Sequence, residues 1–327
     1  MSLDADHIVD RRRMRRKLTF WRIFAIALAI AGIFGLVSAL SSPDSKFAAA
    51  TGPYIARVSI EGLIRTDRER VEALEKLGRS SYAKAVVVHV NSPGGTTAGS
   101  EQLYDALKRL KEQKPIVVVV DGLAASGGYI AALASDYIVA QSSALVGSIG
   151  VLFQYPNFTE LMKTVGVSVE SIKSSPLKAA PDPFEPTTPA ARAAVESLVL
   201  DAYAWFRDLV RDNRKLEGAD LERVADGRVF SGRQGLELKL LDELGEEKEA
   251  LAWLARAKNI DPKLPVRDYE LQSKFRDLPF LHVAAVSTLE AVGMTALARR
   301  IEDWGTVRAI ERLNLDGLLA LWHPSLN

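Results

Sequence analysis

Two kinds of apolar run organise the chain. From Ile23 to Leu40 (IFAIALAIAGIFGLVSAL) eighteen residues pass without a charge. At 1.5 Å per residue that is just enough to cross a hydrocarbon core of roughly 30 Å as a helix. The later runs are short and β-branched. Tyr54–Ile60, Lys84–Val90 (KAVVVHV) and Ile116–Val120 (IVVVV) read as strands, the last two buried on both faces. Between them, Leu103, Leu107 and Leu110 give Ser100–Glu112 a helical spacing. Tyr137–Ala140 and Val167–Ile172 are further predicted strands, with a helix over Phe158–Val165 between them.

A long helix is predicted over Pro189–Lys215, capped by Thr187 or Thr188 with Pro189 in its first turn. A shorter helix follows a Ser231 cap, and Glu246–Lys258 forms another. Strands alternating with helices predict an α/β domain with a largely parallel sheet. Beyond Pro262 the pattern weakens, and the apolar stretch 280–298, which carries His282 and Glu290, reads as an amphipathic helix.

Charge fixes the orientation of the first run. The 327 residues hold 42 Lys+Arg and 41 Asp+Glu, for a net charge of +1. Residues 1–22 contain seven basic residues and three acids, or +4, which leaves −3 for the rest. A basic flank stays in the cytoplasm, so residues 1–22 are expected there, 23–40 as a transmembrane helix, and everything after the linker 41–52 outside. The run exceeds the 7–15 residues of a signal-peptide core, which favours an uncleaved anchor. Near-neutrality argues against a nucleic-acid binder. The absence of Cys excludes disulfides, thiolate metal sites and a Cys nucleophile.

The candidate chemistry lies in two glycine-rich turns. Asn91-Ser92-Pro93-Gly94-Gly95 follows KAVVVHV, and Ala124-Ala125-Ser126-Gly127-Gly128-Tyr129 follows IVVVVDGL. Neither has the spacing of a phosphate loop or a dinucleotide fingerprint. Paired glycines expose backbone N–H groups, and N–H groups at a helix start favour developing negative charge. Ser126 is placed to attack a carbonyl, with Gly127 and the Gly94-Gly95 turn as oxyanion donors. A serine hydroxyl needs a base. Of the four histidines, His7 precedes the anchor, His282 and His323 lie in the weakly patterned tail, and His89 reads as a satisfied strand residue. Lysine is the other option, because an amine in an apolar pocket is held uncharged. Lys178, in the small-residue stretch SSPLKAAPDPF with no acid within three residues, is the attractive candidate, and Lys173 competes for the role.

The ordered set NSPGG, DGLAASGGYIAA, ALVGSIGVLF and SIKSSPLKAAPDPF, followed by VADGRVFSGRQGLELKLLDELG, resembles the signal peptide peptidase A family of bacterial membrane proteases over roughly residues 54–260. The length resembles the short, one-repeat form. This resemblance implies a ClpP/crotonase-like α/β spiral over 53–260, a Ser126 nucleophile, a Lys178 general base, and Ser148 helping to hold the lysine amine. It also implies oxyanion donors at Gly127 and at Gly95 or Gly94, no metal and no nucleotide cofactor. It further implies a homo-oligomer whose neighbouring protomers share the dyad, and signal-peptide remnants in a bacterial inner membrane as substrates. His89 departs from the family pattern and leaves a Ser/His pairing open. The alternatives are a crotonase-like acyl-transfer enzyme and a catalytically silent membrane scaffold. The helical extension 261–327 is outside the resemblance and has no assigned role.

Overall fold

The computed structural model describes residues 52–271 and 319–321, with residues 17, 20–24, 26 and 30 nearer the N-terminus. The chain divides into two compact units, Met1–Gly52 and Pro53–Asn327. In the first, the described residues are helical, and Phe20, Trp21, Ile23, Phe24, Ile26 and Ile30 are all exposed. Most of the expected anchor, and all of the helix expected over 280–298, lie outside the described residues. Among the described residues no helix is long and apolar enough to cross a membrane.

The second unit is built on one sheet. Its elements run β1 (Tyr54–Ile64), α1 (Arg68–Arg79), β2 (Ala83–Thr96), α2 (Thr97–Lys111), β3 (Ile116–Ala125), α3 (Gly127–Leu133), β4 (Tyr137–Ala140), β5 (Leu145–Gly147) and α4 (Thr159–Val165). Then follow α5 (Pro189–Arg214), α6 (Gly218–Val224), β6 (Val229–Ser231), α7 (Gly232–Glu237), β7 (Glu243–Leu244), α8 (Glu247–Lys258), β8 (Val266–Asp268) and β9 (Leu319–Leu321). The strand order is β6-β5-β3-β2-β1-β8, with β4 and β7 continuing from β3 and β9 pairing with β2. Every pairing is parallel except β5 with β6 and β2 with β9.

The valine runs explain the centre of this sheet. Val86, Val87, Val88 and Val90 of β2 and Val117 to Val120 of β3 are buried on both faces. Each such side chain contributes roughly 1.5–3 kcal/mol on removal from water. On one face, Val87, Val117 and Val119 pack against Ala250, Trp253 and Leu254 of α8. The Trp253 ring stacks on Tyr137 with centroids 4.7 Å apart. Helix ends follow their caps. Thr188 accepts from Ala191 N–H at the start of α5, and Ser231 with Gln234 closes a capping box on α7.

The predicted strand Val167–Ile172 does not form. These residues have no sheet partner, and Val167, Val169 and Ile172 are exposed. A strand needs a neighbour to satisfy its backbone, and none reaches this segment. The elements that sequence patterning does not show are α1, α6 and strands of two or three residues, β5 to β9, whose partners are distant in the chain.

Two strands change partners along their length, and this creates the site. β3 pairs with β4 through Val117–Val120, then with β5 through Leu123–Ala125. β2 pairs with β3 as far as Ser92, then with β9 through Gly94–Thr96.

Candidate active site

Ser126 sits at the junction of β3 and α3, capping the helix with φ 53° and ψ −115°. A positive φ is uncommon for a residue with a Cβ and costs of order 1–3 kcal/mol, a strain found at functional positions. Its amide donates to the carbonyl of Gly147 at 2.7 Å. Its hydroxyl oxygen is buried and has no hydrogen-bond partner among the described residues. The amides that open α3, beginning with Gly127, have no intrahelical acceptor.

The two glycine turns meet. A Cβ on Gly128 would lie 2.6 Å from the carbonyl oxygen of Ser92, so the start of α3 rests directly on the NSPGG turn. Ser92 and Ala124 are also paired across β2 and β3. Gly94 adopts φ 101°, and a Cβ on Gly95 would overlap the carbonyl oxygen of Ile64 on β1. Both positions therefore require glycine. Ser92, which sequence reasoning passes over, fastens this turn. Its hydroxyl donates to Gly62 O at 2.7 Å and accepts from Gly94 N–H at 3.1 Å. A serine two residues before a glycine turn is a signal for this local bond.

Ser148 follows β5 directly. It is buried, has φ 53°, and its amide donates to Arg228 O at 2.8 Å. Because Ala125 pairs with Gly147, the Ser148 backbone is carried to the side of Ser126. Ser126, Gly127, Ser148 and the Gly94-Gly95 turn thus converge through sheet register and backbone contact.

Among the described residues Lys178 is not bonded to this cluster, and the Ser126 hydroxyl has no partner. It lies exposed, and its own amide donates to Ser175 O. Lys173, the competing lysine, is committed elsewhere. Its ammonium donates to Glu185 at 2.7 Å and lies 3.6 Å from Asp182. The Glu185 hydrogen bond holds its proton more tightly than in an ordinary lysine, the wrong direction for a base.

His89 is not positioned as a base for Ser126. Its Nδ1 lies 2.9 Å from Asp121 and its Nε2 lies 2.7 Å from Glu247. Glu247 also accepts two hydrogen bonds from Arg57, each at 2.6 Å, and Arg57 continues to Asp268 at 2.9 Å. The histidine is a structural brace that ties β2 to β3 and to the first turn of α8. The hydrogen bond from Arg57, followed by that from His89, holds the Glu247 carboxyl below the usual carboxylate range. A depressed carboxyl contributes stability above its unfolded pKa, and this is lost as pH falls through the folded value. Glu247→Gln should therefore lower the urea midpoint at pH 7, and its deficit relative to the parent should shrink on acidification from about pH 5 toward pH 3. A deficit that stays constant across that range would remove the ionic brace.

The downstream stretch VADGRVFSGRQGLELKLLDELG supports α3 from beneath. The Tyr129 hydroxyl donates to Leu240 O at 2.7 Å, and burial pushes that phenol up. Asp242 accepts from both terminal guanidinium nitrogens of Arg214, at 2.8 and 3.1 Å.

The profile of peptidase family S49 matches residues 108–261, and that of Clp protease matches residues 64–145. A Synechocystis sp. protein, provisionally named a protease, is 35% identical over 218 residues, covering 66% of this chain and 78% of that protein. The chain belongs to peptidase family S49, the signal peptide peptidase A family. Two further relatives are longer. Protease 4 of Haemophilus influenzae is 28% identical over 79% of this chain and 43% of its own length. The chloroplastic serine protease SPPA of Arabidopsis thaliana is 29% identical over 76% of this chain and 37% of its own. The Clp match accords with the ClpP-like α/β fold described above.

Proposed function

We propose that the chain is a membrane-anchored serine endopeptidase with a Ser126/Lys178 dyad, acting on signal-peptide remnants at the outer face of a bacterial inner membrane. The observation that carries this reading is the Ser126 hydroxyl, which is buried, without a partner among the described residues, and held at a strained junction at the start of α3. In the reaction, Ser126 Oγ attacks the peptide carbonyl carbon and its proton passes to Lys178 Nζ. The carbonyl oxygen takes up negative charge against Gly127 and Gly95 N–H. The C–N bond then breaks, the leaving amine takes the proton from Lys178, and water releases the acyl group by the same route in reverse. Gly95 serves rather than Gly94, because Gly94 N–H is donated to Ser92 within the turn, whereas Gly95 lies on the strand edge that β3 has left, where an extended peptide can compete for it. Ser148 orients the lysine.

Lys178 comes from a second copy of the chain. Residues 158–184 expose Phe158, Leu161, Val165, Ile172, Leu177 and Phe184. Exposed apolar residues in that number favour an interaction site, and Lys178 lies in the same segment. A homo-oligomer would cover this strip and deliver the amine to the neighbouring Ser126. Lys173, neutralised by its own carboxylates, is unsuited to the role. The uncharged run 23–40 behind a basic flank supports the anchor and the outward placement of the domain. Membership of a peptidase family favours hydrolysis over acyl transfer or a silent scaffold.

A serine-reactive phosphonate should label the assembled protein at Ser126, read by peptide mass mapping, and Lys178→Ala should slow the labelling. Labelling that is unchanged by Lys178→Ala would exclude the dyad.

A further inference from the structure

The C-terminal extension returns to the site. β9, at residues 319–321, is separated from β8 by fifty residues of chain, yet it pairs antiparallel with β2 at the NSPGG turn. Leu321 faces Gly94, Ala320 faces Gly95 and Leu319 faces Thr96. On its other side Leu319 exchanges two backbone hydrogen bonds with Leu152, Leu152 N–H to Leu319 O at 3.1 Å and Leu319 N–H to Leu152 O at 3.0 Å. β9 thus lies in a slot between the glycine turn and the segment that follows Ser148.

The register shows what this does. In an extended strand the N–H and C=O of one residue point to the same side, and successive residues alternate. Leu319 turns both groups to Leu152, so Ala320 turns both of its groups to Gly95. The amide assigned above to the oxyanion is thereby engaged by the chain's own backbone. The slot exists because β3 leaves β2 after Ser92 to carry Ser126 away, exposing a free strand edge at Gly94–Thr96. A free edge is where an extended peptide adds by main-chain hydrogen bonds.

We propose that Leu319–Leu321 is an internal competitor that fills the extended-peptide slot of the active site, so that substrate must displace it. This inference rests on the peptidase reading for its consequence and on strand pairing alone for its geometry. An occupied slot reduces apparent affinity by the fraction of molecules in which it is open. Ending the chain after Gly317, or introducing Ala320→Pro, which removes the amide facing Gly95, releases it.

The test uses full-length protein in detergent carrying Ser126→Ala, so that nothing is cleaved, and a fluorescein-labelled peptide spanning residues 316–324 as probe. Anisotropy titration should show binding about tenfold tighter to the shortened chain and to Ala320→Pro than to the uninterrupted chain. With Ser126 restored, the same changes should lower KM for a fluorogenic peptide with little effect on kcat. Equal probe affinity across the three proteins, or no binding by any, would overturn the inference. Should the shortened chain fail to fold by circular dichroism, the Ala320→Pro comparison decides. Tighter probe binding without peptide cleavage by any form with Ser126 present would leave the competitor standing and remove the peptidase reading.

Discussion

Mixed assemblies of Ser126→Ala and Lys178→Ala chains should recover activity that neither variant has alone. Each substitution by itself should lower kcat/KM on a fluorogenic peptide by roughly 10⁴-fold or more, since removing one member of a nucleophile–base pair disables both. If serine and lysine came from the same chain, mixing would restore nothing. If they come from neighbours in a closed ring, random mixing places an intact Ser126 beside an intact Lys178 at about a quarter of the sites. The structure favours the second outcome. Among the described residues the Ser126 hydroxyl has no partner, and Lys178 is exposed in a segment that carries several exposed apolar residues. Co-dissociation and reassembly of the two variants, followed by the rate on the same peptide, gives the number. A rate at background would place the base within the chain.

Gly95→Ala should be the most damaging single change outside the dyad. A methyl group there would overlap the Ile64 carbonyl oxygen, which is backbone and cannot rotate away. Either β1 or the NSPGG turn must then move. Overpacking of this kind costs about 1–3 kcal/mol, and displacement of one oxyanion donor lowers kcat by about 10²–10³-fold. Gly150→Ala is the matched control, because the nearest atom to its Cβ, the Cα of Gly227, lies at an ordinary 3.5 Å. Urea midpoints and kcat for the two variants should separate clearly. Near-parental kcat for folded Gly95→Ala protein would show that this amide takes no part in the reaction.

The centre of the fold was readable because β-branched runs buried on both faces leave a mark that survives without neighbours. KAVVVHV and IVVVV became β2 and β3, and the glycine turns after them became the two halves of the site. The same pattern misled at Val167–Ile172, where apolar alternation follows from an exposed surface rather than from a sheet. β8 and β9 were illegible for the opposite reason. Three residues carry no periodicity, and their pairing is decided by partners far away in sequence.

The lysine ambiguity had a similar cause. Asp182 is closer in sequence to Lys178, yet in the structure it neighbours Lys173 together with Glu185. The role of His89 was half legible. A satisfied strand histidine was expected, but the carboxylates that satisfy it come from β3 and from α8.

The rest of α3 upon Ser92 has a mechanical consequence. With the Gly128 backbone packed on the Ser92 carbonyl, a shift of one turn is expected to carry the other with it. The strain stored at position 126 cannot relax by sliding one turn past the other. Any local opening that released it is therefore expected to disturb the proposed anion cradle in the same event.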